Sequence, residues 1–271
     1  MSPTAPTAQI DVGMLEKMFG LVGEIAVVTG AGAGLGKEIA GLLARAGATV
    51  VIADVVVDAA ESVAADLRGA GRDSRAMQVD VTDEDSIVAL FDQVEQQLGG
   101  VTILVNNAGI YPCRWLEEMT VAEWDRVQNV NLRGTFLCSR EAVRGMKSRG
   151  RPGRIVNITS IAAFNPALIG NAHYASSKAG ITMLTKTLAL EVAADNILVN
   201  AVAPGGVMTE TRADRVDDAT TWAGPATQPG RFLLGTASPT KHAAAVLFLV
   251  SPAASHVTGQ TFVVDGGFLV T

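Results

Sequence analysis

Short apolar runs recur along the chain, each followed by a longer stretch whose apolar positions return every third or fourth place. The first run, IAVVT at residues 25–29, passes directly into a glycine-rich stretch at 30–36. A helical pattern follows, carried by Leu35, Ile39, Leu42, Leu43 and Ala46, with Gly47 placed to close it. The same reading predicts strands over 49–53, 76–79 and 102–105, separated by helices over 58–70 and 83–98. Beyond them it predicts a long helix over 124–147, a strand over 154–159, a helix over 175–193 and a strand over 197–201. A helix over 241–250 and a last strand over 261–264 complete the series.

Strands that are apolar throughout, rather than alternating, suit a parallel sheet covered on both faces. The expectation is therefore an α/β, doubly wound architecture: one parallel sheet of about seven strands with helices on both sides. The alternation crosses the middle of the chain without a linker, which predicts a single domain over 21–271 after a tail and lead-in at 1–20. Residues 210–238, rich in Thr, Ala, Pro and Gly, break the rhythm and read as an inserted flap.

Composition narrows the field. Hydrophobic residues make up 48% and charged residues 18%, enough apolar material for a sizeable core. A net charge of −6 argues against a polyanion-binding surface, so nucleic acid is not an expected partner. Cys113 and Cys138 sit in no metal spacing and read as two unpaired thiols; His173, His242 and His256 form no ligand set, so no metal is expected. No apolar run approaches the roughly 18 residues of a membrane span. The first twenty residues lack the basic, apolar and small-residue sequence of an export signal, and a cytoplasmic location is expected.

Gly30, Gly34 and Gly36 follow the first strand in the pattern T-G-x-x-x-G-x-G, with Leu35 between the last two. Lacking Cβ atoms, such glycines let a backbone approach a pyrophosphate closely, and the helix that begins there attracts phosphate with its unpaired N–H groups. A tight turn can also be purely structural. Asp54 adds weight: at the end of the second strand, twenty positions beyond Gly34, a carboxylate can accept hydrogen bonds from an adenosine ribose. It would repel a 2′-phosphate, and neither Ala31, Ala33 nor Val55 offers a cation to hold one, so NAD(H) is favoured over NADP(H). Lys37 is the one nearby cation.

Tyr174 and Lys178, in YASSK, are one helical step apart and share a helix face. A phenol of pKa about 10 is a weak base at neutral pH, and a neighbouring ammonium favours its charged form. Alone, such a pair is more often a surface contact. Its company is informative: NVNLRG with Asn131, IVNITS ending in Ser160, NNAG at 106–109, Asp80-Val81, PGGVMT at 204–209 and VDGG near the end. This ordered set, from about residue 21 to 268, resembles the short-chain dehydrogenase/reductase family, whose fold is of the Rossmann type.

The resemblance implies an oxidoreductase in which Tyr174 is the general acid–base, Lys178 lowers its pKa and holds the nicotinamide ribose, and Ser160 binds the substrate oxygen. Asn131 would hold Lys178 through a water. It further implies that Asp80 and Val81 contact the adenine, that Asn107 and Gly109 line the cofactor cleft, and that Val207 and Thr209, following Pro204 and Gly205, hold the carboxamide and pyrophosphate. Three departures stand out: Thr159 where a second Ser is common, thirteen residues rather than twelve between Ser160 and Tyr174, and LLGTASPTKHAA in place of an Arg and Pro-Glu-Glu pattern.

The expected function is interconversion of a small secondary alcohol, hydrophobic or cyclic, and its ketone. The rivals are reduction of a 3-oxoacyl thioester and a silent dinucleotide sensor. Trp115, Trp222 and Phe232 are candidates to enclose the substrate, and His173 to touch it. The helix after Tyr174 carries Ile181, Met183, Leu184, Leu188, Leu190 and Val192, an apolar arc wider than one sheet-facing stripe requires. A second covered face, and with it the homotetramer common in the family, is expected. Sedimentation at micromolar concentration as a monomer alone would refute it.

Overall fold

The computed structural model describes residues 11–208 and 223–271. Seven parallel strands form one sheet: β1 Ile25–Thr29, β2 Thr49–Asp54, β3 Ser74–Gln78, β4 Ile103–Asn106, β5 Gly153–Ile158, β6 Ile197–Pro204 and β7 Thr261–Val264, in the order β3-β2-β1-β4-β5-β6-β7. Each is separated from the next in sequence by at least one helix, as parallel pairing requires. The helices are α1 Val12–Phe19, α2 Gly34–Arg45, α3 Val57–Gly69, α4 Glu84–Leu98, α5 Val121–Gln128, α6 Gly134–Ser148, α7 Ala172–Val192 and α8 Pro239–Val250.

Alternate residues of the strands feed two cores. Val28, Val50 and Ile52 pack with Ile39 and Leu43 of α2 and Val246 and Leu249 of α8. Val27, Val51 and Leu104 pack with Ile87 and Leu90 of α4 and Leu137 and Met146 of α6 on the other face. All five residues of β1 are buried, which is why its sequence carries no polar alternation before Thr29. The sheet grows outward in both directions from β1 and β4, and where strand order reverses, the loops at the carboxyl ends diverge and leave a crevice.

Several local details differ from the pattern-based expectation. The lead-in contains α1, capped by the Asp11 carboxylate accepting from Met14 N at 2.9 Å, yet the helix buries none of its residues. The strand expected to end at residue 201 continues to Pro204 by pairing with β7. The long helix predicted over 124–147 is interrupted by one π-helical turn, Asn129–Arg133, between α5 and α6. The final helix begins with Pro239 in its first turn, where a missing N–H leaves no bond unmade. Residues 210–222 of the expected flap, including Trp222, and Thr209 before it, lie outside the described residues. Its described part, 223–238, contains the short turn Pro225–Thr227 and returns to the body through the bridge Val207–Ala237.

Candidate active site

The crevice is a cleft of about 670 Å³ whose floor is the carboxyl ends of β1, β2, β4 and β5. At one end the β1–α2 turn is fixed by its own side chains and glycines. The Asn107 amide donates to the carbonyls of Thr29 at 3.0 Å and Gly30 at 2.9 Å, while the Thr29 hydroxyl accepts from Asn107 N and Ala108 N, both at 3.1 Å. Gly30 has φ +63° and Gly34 φ +56°, conformations that side chains disfavour. At Gly36 a Cβ would stand 2.2 Å from the Gly30 carbonyl oxygen, so the start of α2 can approach the turn only as glycine. This cradle fits a dinucleotide pyrophosphate.

Asp54 lies on the cleft wall at the end of β2. One carboxylate oxygen accepts from Gly32 N at 2.9 Å and the other from Val56 N at 3.0 Å, so the side chain is aimed across the glycine turn. Lys37, by contrast, reaches toward Asp66 of α3 at 4.0 Å, away from Asp54. The Asp80 carboxylate turns back on Thr82, accepting from its N–H and hydroxyl, and leaves Val81 to form the apolar wall with Val130. Leu35, Gly109, Pro204, Gly205 and Val207 also border the cleft.

At its centre the cleft gathers Ser160, Tyr174 and Lys178. Ser160 stands just past β5, its hydroxyl accepting from Ala162 N at 3.1 Å, and faces the same cleft as Tyr174 on the first turn of α7, whose phenol it favours in the charged form. Lys178 is 4% exposed; its Nζ lies 5.6 Å from the Tyr174 ring centroid and donates to the Ile158 carbonyl at 2.8 Å. Burial pulls the ammonium down to about 8. Burial also pushes the Tyr174 phenol up to about 12, against the lowering effect of Ser160. In the free chain desolvation therefore outweighs the depression of the phenol that its lysine neighbour implies. The Tyr111 ring meets Tyr174 edge-on, with centroids 6.2 Å apart.

Asn131 is placed by the π turn, fully buried. Its amide oxygen accepts from Ile110 N at 2.9 Å, and its nitrogen donates to the Ile110 carbonyl at 2.9 Å and the Ser177 hydroxyl at 3.1 Å. Ser177 in turn donates to the Tyr174 carbonyl at 2.7 Å. The side chain thus reaches the first turn of α7 through Ser177, a residue that the spacing argument passes over although it stands inside YASSK. A Cβ on Gly109 would lie 3.3 Å from the Asn131 oxygen and 3.5 Å from Lys178 Nζ. Those two polar atoms therefore face one small space beside Gly109.

The far end of the cleft is lined by Tyr111, Ala167, Leu168, Ala226 and Phe232. Phe232 packs on Phe268 with ring centroids 5.0 Å apart, while Trp115 is exposed and does not border the cleft. His173 does not border it either. Its ring is fully buried, and burial holds its pKa below the usual imidazole value. Among the described residues no group of His, Cys, Asp and Glu is arranged to hold a metal ion, and no helix is long and apolar enough to cross a membrane.

A family model described as short chain dehydrogenase matches residues 24–220. The chain is 43% identical over 249 residues to the cis-4-hydroxycyclohexanecarboxylate dehydrogenase of Sinomonas cyclohexanicum, covering 90% of this chain and 96% of the relative. It is 38% identical over 248 residues to the 3-oxoacyl-(acyl-carrier-protein) reductase FabG of Aquifex aeolicus, covering 91% and 98%. The solved gluconate 5-dehydrogenase from Burkholderia cenocepacia, in complex with NADP and tartrate, superposes with a TM-score of 0.86 at 34% identity, covering 95% and 99%.

Proposed function

The chain belongs to the short-chain dehydrogenase/reductase family, and on that premise we propose that it interconverts a secondary alcohol, hydrophobic or cyclic, and its ketone with NAD(H). The observation that carries this reading is the convergence of Ser160, Tyr174 and Lys178 on the floor of one cleft beside a glycine cradle. When bound, the nicotinamide supplies or accepts the hydride. In oxidation Tyr174 takes the proton of the substrate hydroxyl; in reduction it gives one to the carbonyl oxygen. The Ser160 hydroxyl holds the same oxygen as charge develops on it. At pH 7 Lys178 is charged in most molecules even with its value near 8, and this charge favours the phenolate. Asn131 fixes the turn through Ser177, and a water in the space beside Gly109 would link it to Lys178.

Asp54 supports NAD(H): a 2′-phosphate beside it would face a carboxylate already held in place by Gly32 N and Val56 N. The apolar far end, with Phe232 and Ala167, and the relative named for a cyclic alcohol both support a cyclic or hydrophobic substrate. The second reading, reduction of a 3-oxoacyl thioester with NADPH, is favoured by the reductase relatives. Assembly into a homotetramer belongs to the same proposal, because Met183 and Leu190 of α7 stand exposed.

The discriminating experiment follows NADH formation over cyclic, aromatic and aliphatic secondary alcohols, repeats it with NADP, and assays 3-oxoacyl thioester reduction with NADPH. Tyr174→Phe should lower turnover by about a hundredfold to ten-thousandfold while leaving NADH affinity within about twofold. A variant that turns over like the parent would reject the mechanism. Binding of NADH without turnover in the parent would favour the sensor.

A further inference from the structure

Between Ile158, the last residue of β5, and Ser160 stands Thr159, a buried residue to whose hydroxyl the reaction as described gives no role. Its Oγ1 donates to the backbone carbonyl of Lys178 at 2.8 Å. The Thr182 hydroxyl, one helical turn on, reaches the same carbonyl at 3.0 Å and lies 2.9 Å from Thr159 Oγ1. Meanwhile the other end of Lys178 is bound to the preceding residue of the strand, Nζ donating to the Ile158 carbonyl at 2.8 Å. Two consecutive residues of the β5 end therefore hold the backbone and the tip of one lysine, and the next residue is Ser160.

We propose that Thr159 is a positioning residue of the acid–base pair: its hydroxyl locks the Lys178 turn of α7 to the strand end that presents Ser160, fixing the ammonium relative to the Tyr174 ring. The physical reason is leverage. Helix α7 is 21 residues long; two turns beyond Lys178 the Asn157 amide of β5 donates to the Thr185 hydroxyl at 2.9 Å, while Ile181, Ala189 and Val192 supply apolar contacts, which resist separation but do not set register closely. A buried hydroxyl-to-carbonyl bond is directional and, once formed, expensive to leave unmade. Without it the Lys178 carbonyl keeps only Thr182 of its own helix, Nζ alone ties the residue to the Ile158 carbonyl, and the helix turn can shift so that the ammonium is held less closely to the phenol. The phenol then ionises less readily.

This inference rests on the assignment of Tyr174 and Lys178 given above, and the test separates the two. Thr159→Val, which replaces the hydroxyl by a methyl, should lower kcat on the order of tenfold and move the rising limb of the pH profile of alcohol oxidation to higher pH. NADH affinity should stay within about twofold, and Thr159→Ser should restore both kcat and the profile. Thr182→Val, which leaves the Thr159 bond, should stay close to the parent. If Thr159→Val does not fold, Thr159→Ala carries the same comparison. An unchanged profile, no rescue by Ser, or an equal loss in Thr182→Val overturns the role of Thr159 while Tyr174→Phe remains inactive. An active Tyr174→Phe would instead remove the reading beneath it.

Discussion

The two ends of the cleft are built differently. The cofactor end is made from strand termini and one glycine turn, tied by backbone-directed bonds from Asn107, Thr29 and Asp54, and a Cβ at Gly36 has nowhere to go. The substrate end is made from loops that touch each other at a few places: Ile169 N to the Ala223 carbonyl at 2.8 Å, Ala226 N to the Ala167 carbonyl at 2.9 Å, and Phe232 on Phe268. The first end is overdetermined by the sheet, so its residues are constrained by the fold itself. The second is bounded by side chains whose identity the fold leaves open, and that is where selection among alcohols can be made. In the proposed function, cofactor binding and substrate choice thus belong to different parts of one cavity.

The sharpest way to break the first end is Gly36→Ala. With the added carbon 2.2 Å from the Gly30 oxygen and 2.5 Å from the Asn107 amide, the turn must open. The expected loss is about 3 kcal/mol of stability and most of the NADH binding, read by denaturant titration and fluorescence. Retained affinity would show that the turn is less constrained than its geometry implies.

Lys178 sits at the seam and couples the two ends through protonation. Its value of about 8 in the folded chain lies below the ordinary 10.5, so between those values the folded chain binds fewer protons than the unfolded one. Stability of the free protein should therefore rise as pH goes from about 8 to 10.5, the penalty of the buried charge being fully present below 8. Tyr174, raised from 10 to about 12, acts in the opposite sense, but only above pH 10. Lys178→Met should abolish the rise and stabilise the free chain by about 2 kcal/mol at pH 7, while turnover falls at least about a hundredfold. Calorimetry across pH reads the first two effects; a variant less stable than the parent at pH 7 would contradict the burial argument.

The smallest effect is expected at the far end. Phe232→Ala removes a ring from a loop rather than from the sheet core. It should change KM for a hydrophobic alcohol by about tenfold, cost about 1 kcal/mol of stability and leave NADH affinity unchanged. A matching loss of NADH affinity would mean that the two ends are not independent.

The contrast also explains which features could be read from residue order. Apolar runs and three- to four-residue periods reflect burial on a repeating backbone, so seven strands and the helices between them are legible in the sequence. Gly30, Gly34, Gly36 and Asp54 were legible because backbone geometry at a strand end admits few residue types, and Tyr174 with Lys178 because one helical step forces them together. The π turn at Asn129–Arg133 was not legible, since one inserted residue shifts register without altering composition. The partners of Ser177 and Thr159 are not legible, because a hydroxyl has no periodic signature and its partner is decided by what packs opposite.

By itself the sequence determined the parallel sheet, the dinucleotide-type turn and the family, all consequences of local rules repeated along the chain. Only the tertiary structure decided that His173 is buried away from the cleft, that Phe232 reaches the cleft and Trp115 does not, and that Lys178 is clasped at both ends by Ile158 and Thr159 at the end of β5. These depend on contacts between segments far apart in sequence, and such contacts are fixed by packing rather than by any pattern within one segment.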